Sequence, residues 1–380
     1  MRGTVLQWSE SAPAHTGRLH LVYTQTAGVW TDCRSCTLSF VRTTAGVLAV
    51  ALAMAVAGCG SSSSSTATSR QGSSSSSPPA TAGPPPAVAE LPAAEQPKLT
   101  QFPPAAGRTL QQLGALVKGS VQFGAATGTF TPGLRRLAFG LNESSGAFVY
   151  APTAVYLATA PGARASGPFL APADPMSVSP QYRSKQNAGP GGIQAIYAAR
   201  IPIAHPGTYA ILALTRAPAG LIGAPGEIAV AASSPIPDVG QRPPPIQTDT
   251  LATVHGNVSL LTTRVPPEQM HAVSFNEVLG KRPVALLFST PQLCTSRICG
   301  PVTDVAVQLQ HQFGSQIAFI HEEVYAGNQP SRGLRSQMKA FHLQTEPWLF
   351  IVNRRGIITA RFEGAFGLNE VRQALQAVTR

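Results

Sequence analysis

The chain is short of charge. Of its 380 residues only 12% are Asp, Glu, Lys or Arg, and 28 Lys and Arg against 17 acids leave a formal net charge of +11. A basic field of that size draws polyanions. Here, however, the basic residues stand singly or in pairs, Arg135 beside Arg136 and Arg354 beside Arg355, with no run and no interleaved aromatics. That scatter argues against a nucleic-acid partner and describes a solvated surface. Long apolar stretches are missing too: Val47 to Ala57 reaches about 11 residues, where a spanning helix takes about 20. A retained transmembrane helix is therefore not expected. Cysteine is sparse, five in all, and falls into three groups: Cys33 with Cys36, Cys59 alone, and Cys294 with Cys299.

What is plentiful is Gly, at 35 residues, and Pro, at 34, which points to turns, linkers and a mostly β unit. At this length a tail plus two modest globular units is the natural division.

The short apolar run is preceded by Arg42 and followed by Gly58-Cys59-Gly60 and a serine tract, the layout of a signal-peptide hydrophobic region. Val56-Ala57-Gly58-Cys59 resembles the bacterial lipobox. The resemblance implies a lipoprotein signal peptide over 41–58, a lipidated Cys59 heading the mature chain, and anchoring at the extracytoplasmic face of the bacterial cell membrane. Residues 1–40 are then not part of the mature protein, which removes Cys33 and Cys36 despite their redox- or zinc-like spacing. From 59 to 98 the chain is Ser, Ala, Pro and Gly with hardly an aromatic. Such a segment buries too little apolar surface to offset backbone ordering, so a disordered tether is expected.

Short alternating segments then replace helical periodicity. Residues 136–141, 154–158, 195–201 and 209–214 read as strands bounded by Gly, Pro, Asn and Ser clusters. Pro206-Gly207-Thr208-Tyr209, leading into a late strand, resembles the closing hairpin of bacterial immunoglobulin-like domains. An all-β immunoglobulin-like sandwich is expected over 99–232, acting as a binding or spacing module. His205, alone beside Pro206, reads as a loop residue. Residues 233–250, with Pro235, Pro237 and Pro243-Pro244-Pro245, read as a semi-rigid linker.

The last unit, 251–380, has a different rhythm. Ser274 and Glu277 have capping-box spacing. Val284 to Phe288 is a buried-strand run; Val302, Val305, Leu309 and Phe313 mark one helical face; Ile317 to Ile320 is a second buried strand. A helix near 334–341, strands at 348–352 and 357–362, and a helix at 368–378 complete the order βαβαββα. That order, a cysteine loop after the first strand and Glu346-Pro347 before the third resemble the thioredoxin superfamily across about 255–380. The fold so implied is α/β, and the protein as a whole is multidomain.

The resemblance implies roles. Cys294 stands where the family's nucleophile stands, Cys299 is its resolving partner, and Pro347 occupies the place of the cis-proline facing the redox sulfur. A thiolate at Cys294 would meet the positive end of the following helix, aided by Arg297. Two departures qualify this. The pair is C-x4-C, and in a regular helix an i, i+5 pair is separated by a rise of about 7.5 Å, beyond disulfide reach. Gly300-Pro301 suggests that the helix starts there, leaving Cys294 to Cys299 in a turn that can close. The family's buried acid is also missing, since Ala285, Leu286, Leu287 and Phe288 are apolar. His321, with Glu322 and Glu323, is the candidate base.

The function so implied is that of a thiol-disulfide oxidoreductase whose partners are protein thiols and disulfides of the cell envelope, with no cofactor and no resident metal. Both sulfurs would have to reach an accessible rim of the fold. A static disulfide in a non-catalytic envelope binding protein is the rival reading, although closing so small a loop stabilises by only about 2 kcal/mol. The C-x4-C spacing also resembles bacterioferritin-comigratory-type peroxiredoxins, whose Thr and Arg signature is imperfect here. Copper delivery, as in Sco-type chaperones, would need His321 or His342 beside the two cysteines.

Overall fold

The computed structural model describes residues 90–380. The expected signal peptide, Cys59, Cys33, Cys36 and most of the expected tether lie outside the described residues. Three sheets and a few helices make up the rest, with the sheets dominating. Among the described residues no helix is long and apolar enough to cross a membrane.

Two of the sheets face each other. Strands β1 (Gly119–Ser120), β2 (Gln122–Ala125), β3 (Gly133–Asn142), β4 (Thr153–Ala158), β5 (Ser166–Leu170), β6 (Ala173–Pro175), β7 (Ala195–Ile203), β8 (Gly207–Ala217) and β9 (Gly220–Val230) assort into β1-β9-β8-β4-β5 and β2-β3-β7-β6. Side chains alternate between the two faces of a strand. Leu137, Phe139 and Leu141 of β3 and Tyr197, Ala199 and Ile201 of β7 therefore point inward together and meet Val155, Leu157, Ile211 and Ala213 of the opposite sheet. The β8–β9 hairpin pairs residue by residue from Gly207↔Val230 to Ala217↔Gly220. Helix α1 (Leu91–Ala94) adds the fully buried Ala94 to this core, so the chain is already folded within the last residues of the segment read as tether. A short α2 (Leu110–Gly114), with Thr109 and Gln112 in a capping box, covers the outer face of the first sheet with Leu110 and Leu113.

The third sheet holds β10 (Val284–Phe288), β11 (Ala318–Glu322), β12 (Trp348–Val352) and β13 (Ile358–Glu363) in the order β11-β10-β12-β13. Strand β10 is parallel to β11 and antiparallel to β12, which is antiparallel to β13. A short α3 (Phe275–Val278) precedes β10, and α4 (Cys299–Phe313), α5 (Ser336–Ala340) and α6 (Leu368–Thr379) fill in the βαβαββα order after it. Alternation along the strands builds two cores. Leu286, Phe288, Ile320, Trp348 and Phe350 pack on one face against Phe275 of α3, Met338 of α5 and neighbouring Phe341. Ala285, Leu287, Phe319, Leu349 and Ile351 pack on the other against Val302, Val305 and Leu309 of α4 and Val371 and Leu375 of α6.

This second core also takes in Ala138 of β3, Ile196 of β7, Met176 and Val178. The outward face of the β2-β3-β7-β6 sheet is thus the floor on which α4 and α6 rest. All described residues belong to one compact unit.

Residues 233–250, read as a linker, lie along the edge of the third sheet. Gly240 N donates to Ile358 O, Ile358 N donates to Gln241 O, and Ile236 is buried in the core beneath. Asp238 lies 2.6 Å from Arg135 and 3.5 Å from Arg361. Proline-rich sequence predicts an extended chain, but the free backbone edge of β13 offers it hydrogen bonds that a solvated linker lacks.

Candidate functional site

The site forms where β10 ends and α4 begins. From Thr290 to Ile298 the chain runs in turns, with Arg297 N donating to Cys294 O and Arg297 in the left-handed region at φ 60°. Regular helix starts at Cys299, with Ile298 as N-cap. Cys299, Gly300 and Pro301 are its first three residues, and Pro301 lacks an N–H at a position where no intrahelical acceptor exists. Cys294 stays in the turn, and the geometric bar to an i, i+5 pair does not apply.

The helix start is held from two sides. Thr303 Oγ1 donates to Cys299 O at 2.7 Å and lies 3.0 Å from Ser289 Oγ. Asp304, fully buried, accepts from Arg264 Nε at 2.9 Å, from Ser184 N at 2.9 Å and from Asn187 Nδ2 at 3.1 Å. Segment 184–187, which belongs to the β-rich part, therefore lies across the first turn of α4. It leaves no room at Gly300, where an added Cβ would stand 2.8 Å from Gln186 Cβ and 2.9 Å from Gln186 O.

Both cysteines are free thiols, Cys294 at 8% exposure and Cys299 at none. The accessible rim expected for both sulfurs is not found: both are buried, with Cys294 the nearer to the surface. An attacking sulfur must meet a partner; a resolving one need only meet the attacking sulfur.

The two thiols are electrostatically unlike. Hydrogen bonding from Cys299 is the largest influence on Cys294 and outweighs its burial; with Ser296 Oγ at 3.2 Å and the backbone N–H groups of Cys299 and Ile298 it brings the thiol down to about 6. The last two donors are the amides at the start of α4, in line with the helix-terminus effect anticipated from sequence. Arg297 is exposed at the loop tip and is not among these groups. Burial, and then the same hydrogen bond and the charge of Cys294, push Cys299 well above the ordinary thiol range.

The Glu346–Pro347 peptide bond is cis. Pro347 is buried at the entry of β12, and the residue before it reaches the sulfurs: one Glu346 carboxylate oxygen, Cys294 Sγ and Cys299 Sγ all lie within 4.8 Å of one another. Burial, and then the Cys294 charge, push the Glu346 carboxyl up to about 7. Glu346 entered the sequence reading only as the neighbour of Pro347. The apolar run of β10 was the available signal, since it obliges any acid at the site to come from another segment.

His321 is placed elsewhere. Its Nδ1 lies 2.6 Å from Glu268 Oε1 and its Nε2 3.1 Å from Ser289 O. A carboxylate and a carbonyl only accept, so both ring nitrogens donate and no lone pair remains with which to act as a base. Glu268 Oε1 also takes His271 Nε2 at 2.7 Å, and its Oε2 takes Thr262 Oγ1 at 2.9 Å. This Glu268–His271–His321 cluster brings three donors within 4.8 Å, but at hydrogen-bonding separations, as a buried ion network. Glu322 is bound by Arg335 at 2.8 Å, and Glu323 accepts from Thr263. His342 is exposed in a turn. Among the described residues, then, the sulfurs are grouped with Glu346 and with no histidine.

No family model matches the chain, and no curated protein sequence matches it. Several solved structures are similar to part of it, two of which are as follows. A putative thiol:disulfide interchange protein DsbE from Chlorobium tepidum is 13% identical over 38% of this chain and 99% of its own, with a TM-score of 0.28. MTB dsbF, in mixed oxidised and reduced forms, is 17% identical over 28% of this chain and 87% of its own, with a TM-score of 0.23.

Proposed function

We propose that the chain is a thiol-disulfide oxidoreductase of the bacterial cell envelope, in which Cys294 attacks and Cys299 resolves. On this reading residues 251–380 are a thioredoxin-fold unit and 99–232 an immunoglobulin-like sandwich. Lipidated Cys59 and the tether after it hold both at the extracytoplasmic face of the membrane. The partners are protein thiols and disulfides.

One observation carries it: two free sulfurs share one site beside Glu346, Cys294 in the turn before α4 and Cys299 fully buried as its first residue. The outer one favours thiolate under the first amides of α4, and the inner one is kept protonated by burial. Thiol-disulfide exchange needs that division, because the thiolate is the nucleophile and the second thiol must wait until the mixed disulfide exists. A static disulfide has no use for it. The strand order supports the fold assignment. Copper delivery loses its histidine, since His321 is bonded away and His342 faces solvent. Peroxidase chemistry would need an Arg where Glu346 and Pro347 enter β12.

The test is the reduction potential of the Cys294–Cys299 pair, set by equilibration against thiol buffers, together with the pH midpoint of Cys294 alkylation. A potential above about −300 mV with a reactive thiolate is expected. A pair poised below about −300 mV with Cys294 inert to alkylation would mark a structural disulfide and end the proposal.

A further inference from the structure

Reducing a disulfide consumes two electrons and two protons. With Cys294 as thiolate, the thiol pair supplies both electrons but only the proton of Cys299. The site contains one further acid. Glu346 has a carboxylate oxygen within 4.8 Å of both sulfurs, and among the described residues no hydrogen bond or ion pair engages its carboxyl. Resting on the oxidoreductase reading above, we propose that Glu346 carries the second proton and that the charge on Cys294 times its release.

While Cys294 is a thiolate, a second negative charge beside it is unfavourable, which favours the protonated form of Glu346. Burial is the larger cause and the charge of Cys294 the second, and together they push the carboxyl up to about 7. The titratable groups on the elements around it are committed elsewhere. Asp304 of α4 is paired with Arg264, and His321 of β11 with Glu268. Glu323 accepts from Thr263, Glu322 is bound by Arg335, and Arg297 is exposed at the loop tip. The charge acting on Glu346 is that of Cys294.

The steps balance. Cys294 thiolate attacks a substrate disulfide RS–SR′, forming Cys294–S–SR and expelling R′S⁻. The thiolate charge at Cys294 is now gone, so Glu346 yields its proton, which R′S⁻ takes up as R′SH. Glu346, now a carboxylate, accepts the proton of Cys299 directly or through one water. The Cys299 thiolate attacks Cys294 Sγ, closing the Cys294–Cys299 disulfide and expelling RS⁻, which receives that proton from Glu346. The dithiol loses two electrons, two thiols leave, and the site ends with a disulfide and one carboxylate. No proton need come from solvent.

The aryl disulfide dithiobis-nitrobenzoate separates the steps in stopped flow with the full-length protein, because its coloured thiolate leaves without a proton. The first release reports attack by Cys294 and the second reports resolution by Cys299. In Glu346→Gln the first should change by no more than about threefold, while the second slows at least about tenfold near pH 7 and recovers towards about pH 9 as hydroxide substitutes for the base. A second release with the wild-type rate and pH profile would overturn the role of Glu346. Absence of the first release in the wild type would instead sink the oxidoreductase reading. Should Glu346→Gln fold poorly, isotope-edited infrared titration of the wild-type carboxyl serves: capping Cys294 with an uncharged methylthio group should lower the Glu346 midpoint by about one unit or more. An unchanged midpoint would refute the timing.

Discussion

Arg136 of β3 and Glu370 of α6 meet as a two-pronged ion pair, Nη2 at 2.6 Å from Oε2 and Nε at 3.1 Å from Oε1, with the Arg136 side chain only 5% exposed. The same guanidinium donates to Ala365 O at 2.8 Å and lies over the Phe362 ring. It therefore ties the β-rich part to the cysteine-bearing α/β half through charge, hydrogen bonds and stacking at once.

Removing one partner of a buried pair leaves the other uncompensated, and here Asp174 adds a second acid beside Glu370. Arg136→Met should cost about 3 kcal/mol in denaturant unfolding. Because Ala138 and Ile196 share a core with α4 and α6, the described unit should unfold in one transition, with near- and far-ultraviolet circular dichroism coinciding. Two separated transitions in the wild type would contradict the shared core.

Gly300 gives a steric prediction. A Cβ there must displace Gln186 backbone as well as its side chain, and backbone in a packed site yields poorly. Gly300→Ala should destabilise by about 1–3 kcal/mol and lift segment 184–187 off the helix start. Cys299 should then label faster with maleimide in a Cys294→Ser background. Unchanged labelling would mean that the segment does not shield the inner sulfur.

Much of the cysteine-bearing α/β half was legible in sequence, because strands such as 284–288 and 348–352 are apolar on both faces and alternate with helical patterns. The β-rich half was legible only where strands are apolar. Gly220–Val230 carries three glycines and a proline, which hide it as a strand, yet it pairs with β8 along its whole length and with β1 on its other edge, so neighbouring strands supply the backbone bonds that the sequence pattern does not announce. Cys294, Cys299 and Pro347 stood out by spacing and place. Glu346 did not, because its meaning depends on which sulfur it faces. The Glu268–His321 contact joins residues 53 positions apart, and no local pattern announces it.

That contact makes stability depend on pH. Burial opposes a charge on His321, but the charge and hydrogen bond of Glu268 prevail and bring the ring up to about 9 from an ordinary 6.5. A group whose folded pKa is raised stabilises fully below its unfolded value and loses that contribution as pH rises through the folded value. The stabilisation should be complete below about pH 6.5 and fade towards about pH 9, on the order of a few kcal/mol in all. Melting temperatures recorded across this window should fall more steeply for the wild type than for His321→Gln. Parallel curves would show that the ring is neutral in the folded protein.

The inner thiol should govern the outer one. Hydrogen bonding from Cys299 is the largest influence lowering Cys294 to about 6, ahead of Ser296 and the amides of Ile298 and Cys299. Cys299→Ala removes that donor and keeps the helix start, so the amides remain. The midpoint of Cys294 alkylation by iodoacetamide should rise by about one unit or more towards the ordinary thiol value near 8.5. Ser296→Ala should move it less, because its hydroxyl, 3.2 Å from the sulfur, is the weaker influence. A reversed order of the two shifts would place control of the thiolate in the turn at Ser296.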